Sequence, residues 1–227
     1  MDYVGIACHG INTTHLDALC HVWDEDGVWG GKDPDEVVQF HGVTWGDVDK
    51  WSSDLVTRGV LADIPQFRGC DFVELEHPVT GDELEATLAA QGVEIGPGDA
   101  LVVYSGRDAW SRQFREYGTS EALGPGAMPS TTDPRPGLHA SCLEFIHDHD
   151  VAILVWDMMD LTPNGFDLAW SVHAAIWAYG VGLVDNALLE PLALTLRELG
   201  RSDFMLTVAP LRIAGGTGSP VNPLAIL

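Results

Sequence analysis

Continuous apolar runs of strand length alternate along this chain with segments whose apolar residues recur every three or four positions. Residues 100–104 (Ala-Leu-Val-Val-Tyr) and 151–156 (Val-Ala-Ile-Leu-Val-Trp) are such runs, which predicts strands buried on both faces. A helix is predicted over residues 81–90. Thr80 is its N-cap, Glu83 follows three residues later, Leu84 and Leu88 form an apolar face, and Gln91-Gly92 is the stop. Residues 138–149 space Leu138, Cys142, Phe145 and Ile146 helically, and residues 188–199 do so with Leu189, Leu192, Leu196 and Leu199. Residues 173–185 predict a helix stopped by Gly180 and then a strand ending in Asp185. Residues 1–8, 55–64 and 204–213 read as further strands, the last at an edge or bulge because Pro210 interrupts it. This alternation is an α/β pattern.

The intervening segments have turn composition. Residues 22–32 combine three glycines with Trp23, Trp29 and acidic residues, so a loop is expected whose tryptophans either wall a pocket for an aromatic ligand or pack beneath it. Residues 47–51 read as a short polar helical turn, and residues 116–135 as a loop or lid. Residues 215–220 are glycine-rich but lack the Gly-Lys-Ser/Thr ending of a phosphate loop, which leaves a tight turn lining the pocket. Arg107, just after the 100–104 strand, is open to two readings, a surface ion pair or a substrate carboxylate partner.

A length of 227 residues fits one domain, and a formal charge of -23 repels phosphate backbones and anionic membrane surfaces. Nucleic acid and membrane are therefore not expected partners, and no apolar run approaches the roughly 20 residues of a bilayer span. Cys8, Cys20, Cys70 and Cys142 form no Cys-x-x-Cys pair, so a reduced, cytoplasmic setting is the default expectation.

The densest chemistry lies at residues 9–21, His-Gly-Ile-Asn-Thr-Thr-His-Leu-Asp-Ala-Leu-Cys-His. On an extended chain His9, His15 and Asp17 share a face, and His21 joins them if the extension persists. Imidazole and carboxylate donors suit Zn²⁺, Mn²⁺ or Fe²⁺. On spacing alone, a metal site and scattered histidines stand about even. Cys20 reads as a small buried hydrophobe rather than a soft ligand.

The stretch Thr14-His15-Leu16-Asp17-Ala18-Leu19-Cys20-His21 resembles the Thr-His-x-Asp-x-x-x-His signature of the Putative cyclase family, which includes bacterial kynurenine formamidases, isatin hydrolases and trans-dienelactone hydrolase. Similarity continues through Thr57-Arg58-Gly59-Val60, Gly96-Pro97-Gly98-Asp99, Gly137-Leu138-His139, the segment from His173 to Asp185, and Gly215 to Pro223. The resemblance implies a swivelling β/β/α architecture, with a mixed sheet or barrel-like β core flanked by helices over residues 1–227. It implies His15, Asp17, His173 and Asp185 as ligands of one or two divalent ions, Zn or Mn, and His21 as general acid/base. Two departures stand out. The family's first histidine falls on Ile11, so His9 would replace it through a two-residue insertion, and its glutamate is Asp185 here. Relatives also carry a longer segment before the motif, which implies a homodimer covering exposed sheet edges.

The expected function is hydrolysis of an amide or lactone of a small molecule, aromatic ones among the candidates, through an activated water. The alternatives are cyclisation or dehydration of a carbonyl metabolite at the same site, or non-catalytic binding of a small molecule.

Overall fold

The computed structural model describes residues 1–11, 13–53, 55–114, 117, 133–166, 168 and 170–227. In chain order the elements are β1 (His15–Asp17), α1 (Pro34–Val37), β2 (Val38–Gln39), β3 (Gly42–Val43), a 3-10 turn (Val48–Trp51), β4 (Leu55–Asp63), α2 (Ile64–Arg68) and α3 (Gly81–Gln91). There follow β5 (Ala100–Tyr104), α4 (Arg107–Gln113), α5 (Cys142–Asp148), β6 (Ile153–Trp156), α6 (Ala174–Tyr179), β7 (Gly182–Asp185), α7 (Glu190–Leu199), β8 (Asp203–Val208), β9 (Gly218–Pro220) and β10 (Leu224–Ile226). This is the expected α/β class.

One mixed sheet runs in the order β10-β8-β4-β5-β6-β7-β1-β9, with β2 and β3 forming a separate ribbon. Strands β4 to β7 are parallel, while β8, β10, β1 and β9 pair antiparallel to their neighbours. The interior strands β5, β6 and β7 are buried along their whole length, as continuous apolar runs require when both sheet faces are covered. One face packs Val60, Leu101, Val103, Leu154 and Trp156 against α3, α5 and α6. The other packs Val102, Val155, Val184 and Leu206 against Ala193 and Leu196 of α7.

Helix α3 forms where expected, because Thr80 Oγ1 accepts from the Glu83 N–H at 3.3 Å and Gly92 closes the helix at φ +68°. Four other expectations are corrected. Residues 1–7 form no strand and leave Tyr3 and Val4 94% and 76% exposed, so their alternation is not a core pattern. Helix α5 begins at Cys142, not 138, because Leu138 bridges to Val79 and Asp160 and its N–H donates to Met159 O at 2.9 Å. Strand β8 ends at Val208, so Pro210 lies beyond it and removes no ladder bond. Leu199 is 55% exposed, which leaves the buried face of α7 to Ala193 and Leu196. The lid expected over residues 116–135 lies largely outside the described residues. Among the described residues no helix is long and apolar enough to cross a membrane.

Candidate metal centre

Strand register brings the two distant constellations together. In the antiparallel pairing of β1 with β7, His15 stands opposite Asp185, and Asp17 stands opposite Gly218 of β9 on its other side. The neighbouring β6 ends in Trp156, and α6 starts just after His173. Sheet pairing alone therefore places residues some 170 positions apart within side-chain reach.

The donor atoms converge. His15 Nε2 lies 3.3 Å from Asp17 Oδ1 and 4.0 Å from Asp185 Oδ2. His173 Nε2 lies 4.0 Å from Asp17 Oδ2 and 3.8 Å from Asp185 Oδ2. Donors held at about 2.1 Å from one tetrahedral ion stand about 3.4 Å from one another, so this spacing is that of a ligand set. A second set shares Asp17: His9 Nδ1 is 2.9 Å and His21 Nε2 is 3.6 Å from Asp17 Oδ1. Within each of the sets His15-Asp17-Asp185 and His9-Asp17-His21 all ligand atoms fall within 4.8 Å.

The sequence route to His9 and His21 needs correction. Only residues 15–17 are extended, and both histidines arrive from flanking turns rather than through strand parity. They stack on each other, with ring centroids 4.0 Å apart and planes inclined by 4°. Ile11, at the position of the family's histidine, is buried in the apolar core, and its carbonyl accepts from Arg107 Nη2 at 2.6 Å. His9 instead is held between Asp17 and Thr217 Oγ1, the latter at 3.0 Å. Gly218 leaves it room, since a β-carbon there would lie 2.9 Å from His9 Nε2 and 2.7 Å from Leu16 O.

Each of His15, His173 and Asp185 is oriented from behind, by residues that carry no signal in the sequence. Thr13 O accepts the His15 Nδ1 proton at 2.7 Å, which turns Nε2 inward. His173 Nδ1 donates to Asp160 Oδ2, while Asp160 Oδ1 accepts from the backbone N–H groups of Ser171, Val172 and His173. Asp185 Oδ1 accepts from Trp156 Nε1 at 2.6 Å and from the Asn186 N–H at 2.8 Å, so Oδ2 faces the histidines. Arg107 forms no ion pair among the described residues and is half-buried. Its guanidinium links Ile11 O to Asn186 Oδ1 at 3.1 Å and so ties the segment before His15 to the residue after Asp185.

The electrostatics are those of a cation site. Asp17 is fully buried, and its Oδ2 has no hydrogen-bond partner among the described residues, a costly arrangement unless a positive charge is supplied. Burial alone would raise its pKa, but His21, His15 and His9 pull it well below the usual carboxylate range. Burial likewise opposes protonation of His15 and His173. The carboxylates of Asp17 and Asp185 outweigh it at His15, and those of Asp160, Asp185 and Asp17 at His173, holding each at about 9. At His21 burial wins over Asp17, with the other histidines adding to it, and the ring falls to about 4. The residues therefore fit a bound cation. Burial pushes the Cys20 thiol up to about 11, which disfavours its thiolate.

Beside His21 opens an apolar cavity of about 730 Å³. Trp23, Leu143, Phe166, Trp170 and Trp177 line it, and the Trp170 ring lies 4.8 Å from that of His173. Trp29, the other tryptophan of the 22–32 loop, lines a separate cavity of about 260 Å³ with Leu19, Trp45 and Trp51.

The comparisons with known proteins bear on the family and the fold. No curated protein matches the chain. A solved structure described as a novel cyclase is 26% identical with a TM-score of 0.76, over 94% of this chain and 69% of that one. An isatin hydrolase bound to the product analogue thioisatinate shares the fold at 21% identity and TM-score 0.60, over 94% and 71% of the two chains. A protein described as a potential metal-dependent hydrolase with cyclase activity shares it at 15% identity and TM-score 0.51, over 95% and 78%. The sequence profile of the Cyclase family, described as "Putative cyclase", matches residues 4–163, a span that contains the N-terminal histidine cluster, Trp156 and Asp160, and the chain belongs to that family.

Proposed function

We propose that this protein is a metal-dependent hydrolase that cleaves an amide or lactone bond, C–N or C–O, of a small aromatic molecule. The observation that carries the reading is the buried Asp17 Oδ2, without a hydrogen-bond partner among the described residues, at the meeting point of two histidine-carboxylate sets beside an aromatic-walled cavity. His15, Asp17, His173 and Asp185 would hold the ion, Zn²⁺ or Mn²⁺, and His9 would extend the set toward a second ion. The description of one structural relative as a metal-dependent hydrolase, and of another as an isatin hydrolase, supports the same class.

When bound, a divalent ion supplies Lewis acidity toward a carbonyl oxygen and makes water more acidic. The chain's own residues do the rest. Trp23, Trp170 and Trp177 seat a flat ring in the cavity, so that its reacting carbonyl lies at the mouth beside His21. His21 Nε2, a neutral base in the metal-free protein, takes a proton from the attacking water and returns it to the departing nitrogen or oxygen. Water thus adds across the cleaved bond, the carbonyl carbon gaining the hydroxyl and the leaving atom the proton. Stacking on His9 fixes the plane of the His21 ring, which limits the orientations from which it can exchange that proton.

The test is a hydrolysis screen of N-formyl aromatic amines, isatin-like lactams and enol lactones, run before and after chelation. The reading expects turnover of at least one class that chelator abolishes and added metal restores. Turnover indifferent to chelator would contradict it.

A further inference from the structure

We infer that the aromatic cavity sorts substrates by charge, admitting neutral and cationic aromatic rings and excluding those that carry a carboxylate. The wall chemistry supports this. Four aromatic side chains, Trp23, Phe166, Trp170 and Trp177, line the cavity and bring no formal charge to it. Its charged wall residue is Asp24, on the exposed loop at the rim, whose carboxylate is steadied by the Asp26 N–H at 2.9 Å. Neither Lys nor Arg lines it among the described residues.

Arg107 and Arg135 stand outside the wall. Arg107 donates to Ile11 O and Asn186 Oδ1. Arg135 is 2% exposed and sits against the Trp170 ring, its guanidinium carbon 5.4 Å from the ring centroid, so it forms no part of the wall. A carboxylate placed against these walls, away from the metal centre, would lose its hydration without gaining a Lys or Arg among the described residues, while an ammonium would gain Asp24 at the rim. The formal charge of -23 adds a long-range field of the same sign.

This inference deepens the hydrolase reading and rests on it for turnover, but not for binding. The experiment uses three formanilides with a para aminomethyl, hydroxymethyl or carboxylate group. Each is titrated calorimetrically into the metal-loaded protein, wild type and Asp24→Lys, and each is then assayed for hydrolysis. The expected result is a carboxylate compound binding at least about ten-fold more weakly than the hydroxymethyl compound, with the aminomethyl compound at least as tight as the latter. In Asp24→Lys the gap between carboxylate and hydroxymethyl compounds should narrow to about three-fold or less. A carboxylate compound that binds wild type as tightly as the hydroxymethyl one would overturn the inference, whichever compounds turn over. The expected binding order without hydrolysis of any compound would support the charge sorting while contradicting the hydrolase reading.

Discussion

The indole N–H of Trp156 donates to Asp185 Oδ1 at 2.6 Å, from a ring that is fully buried in the core. A side chain that looks like core packing at the end of β6 thus fixes which carboxylate oxygen of β7 turns toward the histidines. Trp156→Phe keeps an aromatic core but removes the donor. We expect about ten-fold weaker metal affinity, the usual share of an outer partner, together with a loss of about 1–3 kcal/mol from the smaller ring. Competition with a chromophoric chelator reads the first effect and thermal denaturation the second; unchanged affinity would show that Asp185 needs no such orientation.

Asp160→Asn separates two roles of one buried carboxylate. The amide oxygen can still accept the backbone N–H groups of Ser171, Val172 and His173, whereas the amide nitrogen cannot accept the His173 Nδ1 proton. Metal affinity should fall about 10- to 100-fold, with a melting temperature of the metal-free protein that drops less than in Asp160→Ala. Equal loss of stability in the two variants, with metal affinity intact, would make Asp160 a loop brace alone.

Gly218→Ala tests the place of His9. The new methyl would meet Leu16 O at 2.7 Å and His9 Nε2 at 2.9 Å, so strand and imidazole must give way. A cost of about 1–3 kcal/mol is expected from overpacking, with weaker metal binding that His9→Ala reproduces without the stability loss. If His9→Ala binds metal like wild type, His9 is no ligand.

The metal-free protein should lose stability as pH rises from about 6.5 to about 9. His15 and His173 are held at about 9 when folded, against 6.5 unperturbed. Below 6.5 both rings are protonated in both states, and their contribution to stability is fully present. Between the two values the unfolded chain has released protons that the folded chain retains, so the contribution declines, and above 9 it is gone. Metal binding needs neutral rings and must expel those protons, so the loaded protein should escape this decline. Thermal melts across that range, with and without metal, check it; a metal-free protein whose stability rises over the window would be inconsistent with protonated ligands.

Much of this site was legible in the sequence. The apolar runs gave β5 and β6, the Gly180 stop placed β7 after its helix, Thr80 and Gly92 bounded α3, and the motif around His15 and Asp17 picked out two members of the cluster that the fold gathers. What stayed hidden depends on long-range register or on short elements. Asp160 carries no motif, and its part emerges only because the fold sets its carboxylate against the backbone N–H groups of residues 171–173, just before α6. Helix α2 needs only five residues, capped by Asp63 and closed by Gly69, too short for a periodic signal. Residues 1–8 mislead, since alternation marks a strand only when a partner strand pairs with it. Arg107 was ambiguous because its partners, Ile11 O and Asn186, lie 96 and 79 positions away.

The central claim assigns His15 to the metal and His21 to the proton, and removing each ring leaves a different signature. The decisive measurement is bound metal per chain, by elemental analysis, set beside turnover of a substrate found in the screen, for His15→Ala and His21→Ala. The account predicts that His15→Ala loses metal and activity together. His21→Ala should keep its metal yet fall about 10²- to 10⁴-fold in turnover, with the pH limb of the general base gone. A His21→Ala protein with full turnover, or a His15→Ala protein with full metal, would contradict it.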